Sequence, residues 1–194
     1  MLTLPRSLSL TPAQFAQVCA ANPEAVLELA ADGTLIEMTP TGGNTSARNS
    51  SMVFQLQSWA RTVDGWIVFE SSAGFRLADG SVRSPDASLV RLDRWRALSE
   101  AEREGFPPLC PDLVVELASP SDQLEPLRQK MASYISNGAR LGWLLLPRRR
   151  TVEVWSSDPA TQAARFSVLS DASRLEATAE FPGLVIELEQ IWAG

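Results

Sequence analysis

Histidine is absent from this chain of 194 residues, and only two cysteines are present. The absence of histidine excludes Ser-His-Asp and Cys-His catalysis, histidine-ligated zinc and an imidazole general base. Cys19 and Cys110 have no metal-ligand spacing and are interpreted as small core residues rather than a disulfide pair. Any hydrolytic chemistry must therefore use carboxylates, lysine, hydroxyl groups and a hard metal ion.

Long apolar runs are also lacking, since none approaches the ~18 residues of a membrane span. The first ten residues contain one arginine and no continuous apolar stretch, so we expect neither a signal peptide nor a membrane partner. We therefore expect a cytoplasmic protein. Hydrophobic residues make up 45% and charged residues 21%, as in ordinary globular chains, and the length predicts one domain over residues 1–194.

The chain also has no excess of basic residues, with 17 Lys and Arg against 23 Asp and Glu. The formal net charge of −6 argues against a broad surface that binds nucleic acid non-specifically, but it leaves room for a small basic groove. The only dense basic cluster is Arg148-Arg149-Arg150. We interpret this cluster as a solvated turn between two strands.

The pattern of apolar residues, caps and breakers predicts a mixture of helices and strands. Helices are expected at residues 11–22, 48–62, 92–104 and 124–137, strands at 25–29, 34–38, 66–70, 74–77, 142–146, 151–155 and 165–169, a loop at 39–46, and a strand leading into a helix at 184–192. The strand, helix and strand of residues 112–146 form a βαβ-like unit. The sequence therefore favours a mixed α/β sheet, with an N-terminal β-hairpin that turns at Asp32-Gly33.

One carboxylate interrupts an otherwise apolar segment: Leu113 to Ala118 is apolar except for Glu116. Such a run is typical of a strand buried on both faces, where a charge is costly unless it is paired or binds a metal ion. Glu116 is therefore either one partner of a buried ion pair with an arginine or a metal ligand.

A second carboxylate, Asp86, follows Pro85 at the start of another strand-like run, thirty residues before Glu116. An isolated Pro-Asp pair is typical of a turn at a strand entry. The interval is nevertheless long enough for a strand, a helix and a return strand, so both carboxylates could converge from neighbouring strands. Such a pair suits Mg²⁺, which needs few protein ligands and completes its shell with water and substrate phosphate. This favours phosphoryl hydrolysis over acyl transfer.

A lysine follows on the next helix. Lys130 lies on the flank of the apolar stripe of the predicted helix at 124–137. Its stem could be buried while its ammonium group extends towards a site at the edge of the sheet. There it would orient an attacking water or stabilise charge on the phosphate. A solvated surface lysine is the alternative.

Pro85-Asp86, the apolar strand with Glu116, and Lys130 together resemble the PD-(D/E)XK motif of restriction-endonuclease-like nucleases. The chain resembles more closely the Uma-type restriction endonucleases, a bacterial family of similar length. Four segments within about residues 25–156 carry the likeness: residues 27–33, Arg83-Ser84-Pro85-Asp86, residues 111–122, and Lys130-Met131-Ala132-Ser133-Tyr134 with Gly138 and Trp143.

This resemblance implies a mixed central sheet flanked by helices, with Asp86 and Glu116 as ligands of Mg²⁺ or Mn²⁺ and Lys130 as the catalytic lysine. It also implies that Glu28, on the first hairpin, contributes to the same site, whereas a solvent-facing strand position is the alternative for this residue. DNA is the expected partner. A homodimer would make paired cuts in a duplex easier, but no residue in the sequence indicates one.

The chain departs from the motif at Ala118, where the pattern expects a lysine two residues after Glu116. We expect Lys130 to reach the site from the following helix instead. The preferred hypothesis is a Mg²⁺-dependent DNA endonuclease. The alternatives are a catalytically inactive nuclease-like fold that binds nucleic acid or protein, and a structural protein in which Glu116 and Lys130 form a buried ion pair.

Overall fold

A computed structural model of the protein describes residues 9–38 and 40–193. The prediction for residues 1–8 and the part of the predicted loop at Thr39 lie outside the described residues. The helices are α1 (Pro12–Ala21), α2 (Gly43–Ala60), α3 (Leu92–Arg96), α4 (Glu100–Glu104), α5 (Leu124–Ser136) and α6 (Glu189–Trp192). The strands are β1 (Val26–Leu29), β2 (Leu35–Met38), β3 (Trp66–Glu70), β4 (Phe75–Arg76), β5 (Val82–Arg83), β6 (Ala87–Arg91), β7 (Leu113–Leu117), β8 (Leu141–Leu146), β9 (Thr151–Ser157), β10 (Ala164–Ser170), β11 (Arg174–Glu176) and β12 (Val185–Glu187).

Six strands form the central sheet in the order β10-β9-β8-β7-β6-β3. Strands β7 and β8 run parallel and are connected by α5, as predicted for the βαβ-like unit, whereas the other neighbouring pairs are antiparallel. Helix α2 packs on one face of the sheet and α5 on the other. The predicted mixed central sheet flanked by helices is therefore confirmed.

Strand β7 lies in the middle of this sheet, and all five of its residues are buried. Leu113 and Val115 contribute to the core on the α2 side, and Val114 to the core on the α5 side. Because side chains alternate along a strand, Glu116 shares the α5 face with Val114. This face places its carboxylate where a side chain from α5 can contact it.

Two glycines mark where α5 packs and where it ends. A Cβ atom on Gly142 of β8 would lie 2.5 Å from Met131 Cε, so the Met131 side chain lies directly over this glycine. Gly138, with φ of +105°, follows the C-terminus of α5 in a left-handed conformation that ends the helix.

A second sheet, in the order β2-β1-β5-β4, carries the predicted N-terminal hairpin, which is confirmed. Its turn contains Gly33 at φ +83°. Leu29 of β1 pairs with Val82 of β5, and β5 leads directly into residues 84–86 before β6. The hairpin therefore brings Glu28 next to the segment that contains Asp86.

Some element boundaries differ from the prediction. Helix α2 begins at Gly43 rather than near Arg48, because its first turns are polar and show no apolar periodicity to read. The single helix predicted at 92–104 is two helices, since Ser99 caps a new helix through reciprocal hydrogen bonds with Glu102. Strand β11 was not predicted.

None of the helices in the described ranges is both long and apolar enough to traverse a bilayer.

Candidate active site

Asp86 and Glu116 face each other at the ends of two neighbouring strands. Ala87 of β6 pairs with Val115 of the antiparallel strand β7, so Asp86 and Glu116 occupy the next position of the same register. The backbone N–H of Leu117 donates a hydrogen bond of 2.7 Å to Asp86 Oδ2. The two predicted metal ligands are thus brought together by strand pairing, as the interval between them suggested.

Glu116 is buried, and its contacts involve one oxygen. Lys130 Nζ lies 2.8 Å from Glu116 Oε1, and the hydroxyl of Tyr134 donates a hydrogen bond of 3.0 Å to the same atom. No described residue donates to Oε2. Burial, opposed by Lys130 and reinforced by the nearby charges of Asp86 and Glu28, raises the pKa of Glu116 to about 8.

Lys130 extends from α5 into the site, with only 11% of its side chain exposed. Its ammonium group lies 2.8 Å from Glu28 Oε1 as well as from Glu116 Oε1, and it donates a bond of 3.2 Å to the carbonyl oxygen of Ser84. Burial alone would lower its pKa, but the two carboxylates raise it above the ordinary value. The alternative of a solvated surface lysine is therefore wrong.

Glu28 is also buried, which excludes the alternative of a solvent-facing strand residue. Its Oε2 lies 3.0 Å from Arg83, and its Oε1 accepts a bond of 2.9 Å from the backbone N–H of Ser84. Burial would raise the pKa of Glu28, but Lys130, Ser84 and Arg83 together lower it. Both oxygens of Glu28 are thus occupied by donors from the protein.

Asp86 has a partner that the sequence did not suggest. The side-chain amide of Asn49, on α2, donates a hydrogen bond of 3.0 Å to Asp86 Oδ1. Burial raises the pKa of Asp86, although the Leu117 N–H, Lys130 and Asn49 act in the opposite direction. Each oxygen of Asp86 thus accepts a hydrogen bond from a neutral donor.

The other buried carboxylates of the central sheet have a different environment. Asp112 lies 2.8 Å from Arg94, and Glu153 accepts hydrogen bonds from Arg128. Both are therefore conventional pairs with arginine, and neither lines the cleft that contains Glu116. The alternative that Glu116 pairs with an arginine is wrong, because its cationic partner is a lysine.

Lys130 and Tyr134 are the only lysine and the only tyrosine of the chain, since every other basic residue is arginine. Both contact Glu116 Oε1. Lysine is a compact point charge on a flexible stem, whereas arginine is a planar fork that suits two-point contacts. The sequence alone could therefore have singled out Lys130, because it is the one lysine in an arginine-rich chain.

Glu28, Asp86, Glu116 and Lys130 line a cleft of about 800 Å³. Its walls come from the hairpin, the start of α2, the loop after β7 and α5. Among the described residues, no group of three or more Asp, Glu or Cys side chains is arranged to hold a metal ion. Two carboxylates are nevertheless sufficient protein ligands for Mg²⁺, whose remaining positions are taken by water and substrate oxygens. Asp86 and Glu116 fit that ion by their donor chemistry.

A sequence model of the family described as "Uma2: Putative restriction endonuclease" matches residues 12–189. The chain belongs to the Uma2 family. No curated protein is significantly similar to this Uma2 chain in sequence. Its fold is similar to a crystal structure described as a "putative nuclease belonging to DUF820" from Anabaena variabilis, with a TM-score of 0.74 and 20% identity over 95% of this chain and 98% of that one.

The resemblance inferred from the sequence is thereby confirmed, and the Uma2 chain has a nuclease-type fold. In this Uma2 chain the position two residues after Glu116 is Ala118, which faces a separate hollow lined by Leu124 and Leu127. Lys130 provides the cation beside Glu116 in its place.

Proposed function

We propose that this Uma2 chain is a Mg²⁺-dependent endonuclease that hydrolyses phosphodiester bonds in DNA, with Mn²⁺ as a usable substitute. The observation that supports this proposal is the ammonium group of Lys130, 2.8 Å from the carboxylate of Glu116 in a cleft that also contains Asp86. A buried lysine beside two facing carboxylates is the group expected next to a phosphate that gains charge during cleavage.

Asp86 and Glu116 are the residues that would hold the metal ion. When bound, Mg²⁺ supplies a Lewis acid that favours deprotonation of water and offsets the charge of the phosphodiester. Lys130 keeps its proton because both neighbouring carboxylates raise its pKa. Its ammonium group therefore acts as a hydrogen-bond donor to the substrate or the attacking water, and not as a general base.

Glu28 is proposed to position Lys130 rather than to bind the metal. Its Oε1 contacts Lys130, and its Oε2 contacts Arg83. These contacts restrain the ammonium group from two sides, together with the carbonyl of Ser84. Glu28 is thus assigned an indirect role in the site.

DNA is the proposed substrate, and the proposed setting is a single-domain protein in the cytoplasm. A homodimer is a further proposal, because two copies would allow paired cuts in a duplex. Sedimentation of the purified protein with and without DNA measures the oligomeric state directly.

Nicking of a supercoiled plasmid tests the activity. The wild type should cut it in Mg²⁺ and not in EDTA, whereas Asp86→Asn and Glu116→Gln should each cut at least about 100-fold more slowly. Glu37→Gln is the matched control, because Glu37 is an exposed carboxylate at the rim of the same cleft. Cleavage that survives in Asp86→Asn, with its fold verified by circular dichroism, would refute the proposal.

The alternative function is a nuclease-like binding module. A wild-type protein that binds Mg²⁺ through Asp86 and Glu116 but cuts neither single- nor double-stranded DNA would favour that alternative. Mg²⁺ binding measured by calorimetry beside the plasmid assay separates the two.

A further inference from the structure

A second groove opens on the other side of Asp86. Its volume is about 730 Å³, within the range of ligand sites, and it runs along α2 towards the end of β3. Asp86 lines both this groove and the catalytic cleft, so the two adjoin at this carboxylate. We call it the α2 groove, whose lining includes Asn49, Phe54, Gln57, Arg61, Glu70 and Asp86.

The face of α2 that lines this groove is set by the packing of the helix. Met52, Leu56 and Trp59 bury the opposite face in the core. The groove face therefore carries hydroxyl and amide side chains at helical spacing, with one large apolar exception. That exception is Phe54, which is 69% exposed, the most exposed large apolar side chain among the described residues.

We propose that the α2 groove binds an unpaired nucleobase next to the scissile phosphodiester, with Phe54 as the surface on which the base stacks. The preferred substrate is then single-stranded DNA, or a duplex with an unpaired segment at the cleavage site. This inference rests on the proposed nuclease function, which it extends to the class of substrate.

The position of Phe54 suits this role. Asn49, which contacts Asp86, and Phe54 both line the groove and lie five residues apart on α2, about 7 Å along its axis and about 140° around it. That distance is roughly the rise of two stacked nucleotides at 3.4 Å each. A strand whose phosphate reaches Asp86 can therefore place a neighbouring base over the ring.

The charge of the protein also favours contacts with bases over contacts with the backbone. The formal net charge is −6, and among the residues that the structure describes Arg61 is the only cation that lines the groove, against Asp86 and Glu70. Duplex binding depends mainly on phosphates neutralised by basic residues. Single strands are held by aromatic side chains that accept any base, each worth about 1–3 kcal/mol, in addition to cations along the backbone. The groove has the aromatic ring and lacks the basic stripe.

Binding of labelled oligonucleotides tests the proposal. The probes are a short single-stranded DNA and a hairpin duplex of the same sequence, with Ca²⁺ in place of Mg²⁺ and anisotropy as the readout. Phe54→Ala should weaken binding of the single strand about tenfold and binding of the duplex less than twofold, whereas Phe54→Trp should keep wild-type affinity. Because Phe54 is exposed, neither substitution removes a core contact.

Phe166→Ala is the matched control, since Phe166 is a partly exposed aromatic residue on β10 that does not line the groove. It should leave both affinities unchanged. Equal losses on both probes, or a single-strand affinity of Phe54→Ala within twofold of the wild type, would overturn the proposal. Loss of self-association in Phe54→Ala, with unchanged DNA binding, would also overturn it and identify the groove as a protein interface.

Failure of this inference can be told apart from failure of the proposed function. Suppose that the wild type cuts duplex DNA in Mg²⁺ without preference for single strands, and that Phe54→Ala cuts it equally well. This result would contradict only the role of the groove. A wild type that neither binds nor cuts DNA with any divalent ion would contradict both.

Discussion

Lys130 Nζ lies 2.8 Å from Glu116 Oε1, although the lysine belongs to helix α5 and the glutamate to strand β7. The next residue of α5, Met131, packs over Gly142 of β8, so this part of the helix lies close to the sheet. A second contact of 2.8 Å to Glu28 fixes the ammonium group between two buried carboxylates. The cation beside Glu116 thus comes from the neighbouring helix and not from the strand itself.

Replacement of Lys130 should separate cleavage from metal binding. Lys130→Met removes the hydrogen-bond donor next to the substrate phosphate and should lower the cleavage rate by about 100-fold or more. It also leaves two buried carboxylates without their cation, so the free energy of unfolding in EDTA should fall by about 3–5 kcal/mol. Mn²⁺ affinity, measured by calorimetry, should stay equal or increase. A variant that cuts at the wild-type rate would exclude Lys130 from catalysis.

Metal-free stability should depend on pH through Glu116. Its pKa is raised in the folded protein to about 8 from the ordinary value of 4.5. When the pKa of a group is higher in the folded protein than in the unfolded chain, protonation stabilises the fold. This stabilisation is fully present below the pKa of the unfolded chain and is lost as the pH rises to the pKa of the folded protein. In EDTA the melting temperature should therefore fall as the pH rises from about 5 to about 8 and level off above that, and Mg²⁺ should restore more stability at the alkaline end.

Glu116→Gln is the control for this titration, because the amide does not ionise in that range. Thermal denaturation of both proteins across the same buffers gives the comparison. Parallel curves for the wild type and Glu116→Gln would show that Glu116 is not the titrating group.

Tyr134 offers a direct optical reporter, since it is the only tyrosine of the chain. Burial, together with the charges of Glu116 and Glu28 and the hydrogen bond to Glu116, raises its pKa well above the ordinary value. Tyrosinate absorbance should therefore not develop near pH 10 while the protein remains folded. It should develop only with unfolding, as followed by circular dichroism in the same samples. A reversible transition at the ordinary pKa would contradict the buried hydrogen bond.

Asn49 should act on the metal site through Asp86. Loss of its hydrogen bond of 3.0 Å in Asn49→Ala leaves Asp86 Oδ1 without its amide donor. Removal of such an orienting partner typically costs about 10–100-fold in metal affinity or activity, so Mn²⁺ binding should weaken within that range. Gln57→Ala is the control on the same helix face, because Gln57 does not contact Asp86. Unchanged Mn²⁺ affinity in Asn49→Ala would remove Asn49 from the site.

The strongest local signals in the sequence predicted the fold well. The apolar run around Glu116 predicted the fully buried strand β7, and the amphipathic pattern after Leu124 predicted α5, which connects β7 to its parallel partner β8. The start of α2 was not predictable in the same way, because its polar first turns show no periodicity. Helix propensity is a weak guide at such a position, because tertiary contacts can override it.

The candidate site was only partly accessible from sequence. Asp86 and Glu116 could be linked because their interval fits two neighbouring strands. The contact between Asn49 and Asp86 could not, since it depends on how α2 lies across the strand ends. The contact between Glu28 and Lys130 depends on the pairing of Leu29 with Val82, which places β1 beside β5 in one sheet, and no local pattern specifies that partner.

Binding of a divalent cation by Asp86 and Glu116 together, beside Lys130, can be seen directly by anomalous diffraction from crystals soaked in Mn²⁺. We expect one strong anomalous peak within coordination distance of oxygens from both Asp86 and Glu116, and its loss in Asp86→Asn crystals treated identically. A saturating soak that leaves no peak between these two carboxylates, or a peak unaffected by Asp86→Asn, would contradict this joint binding.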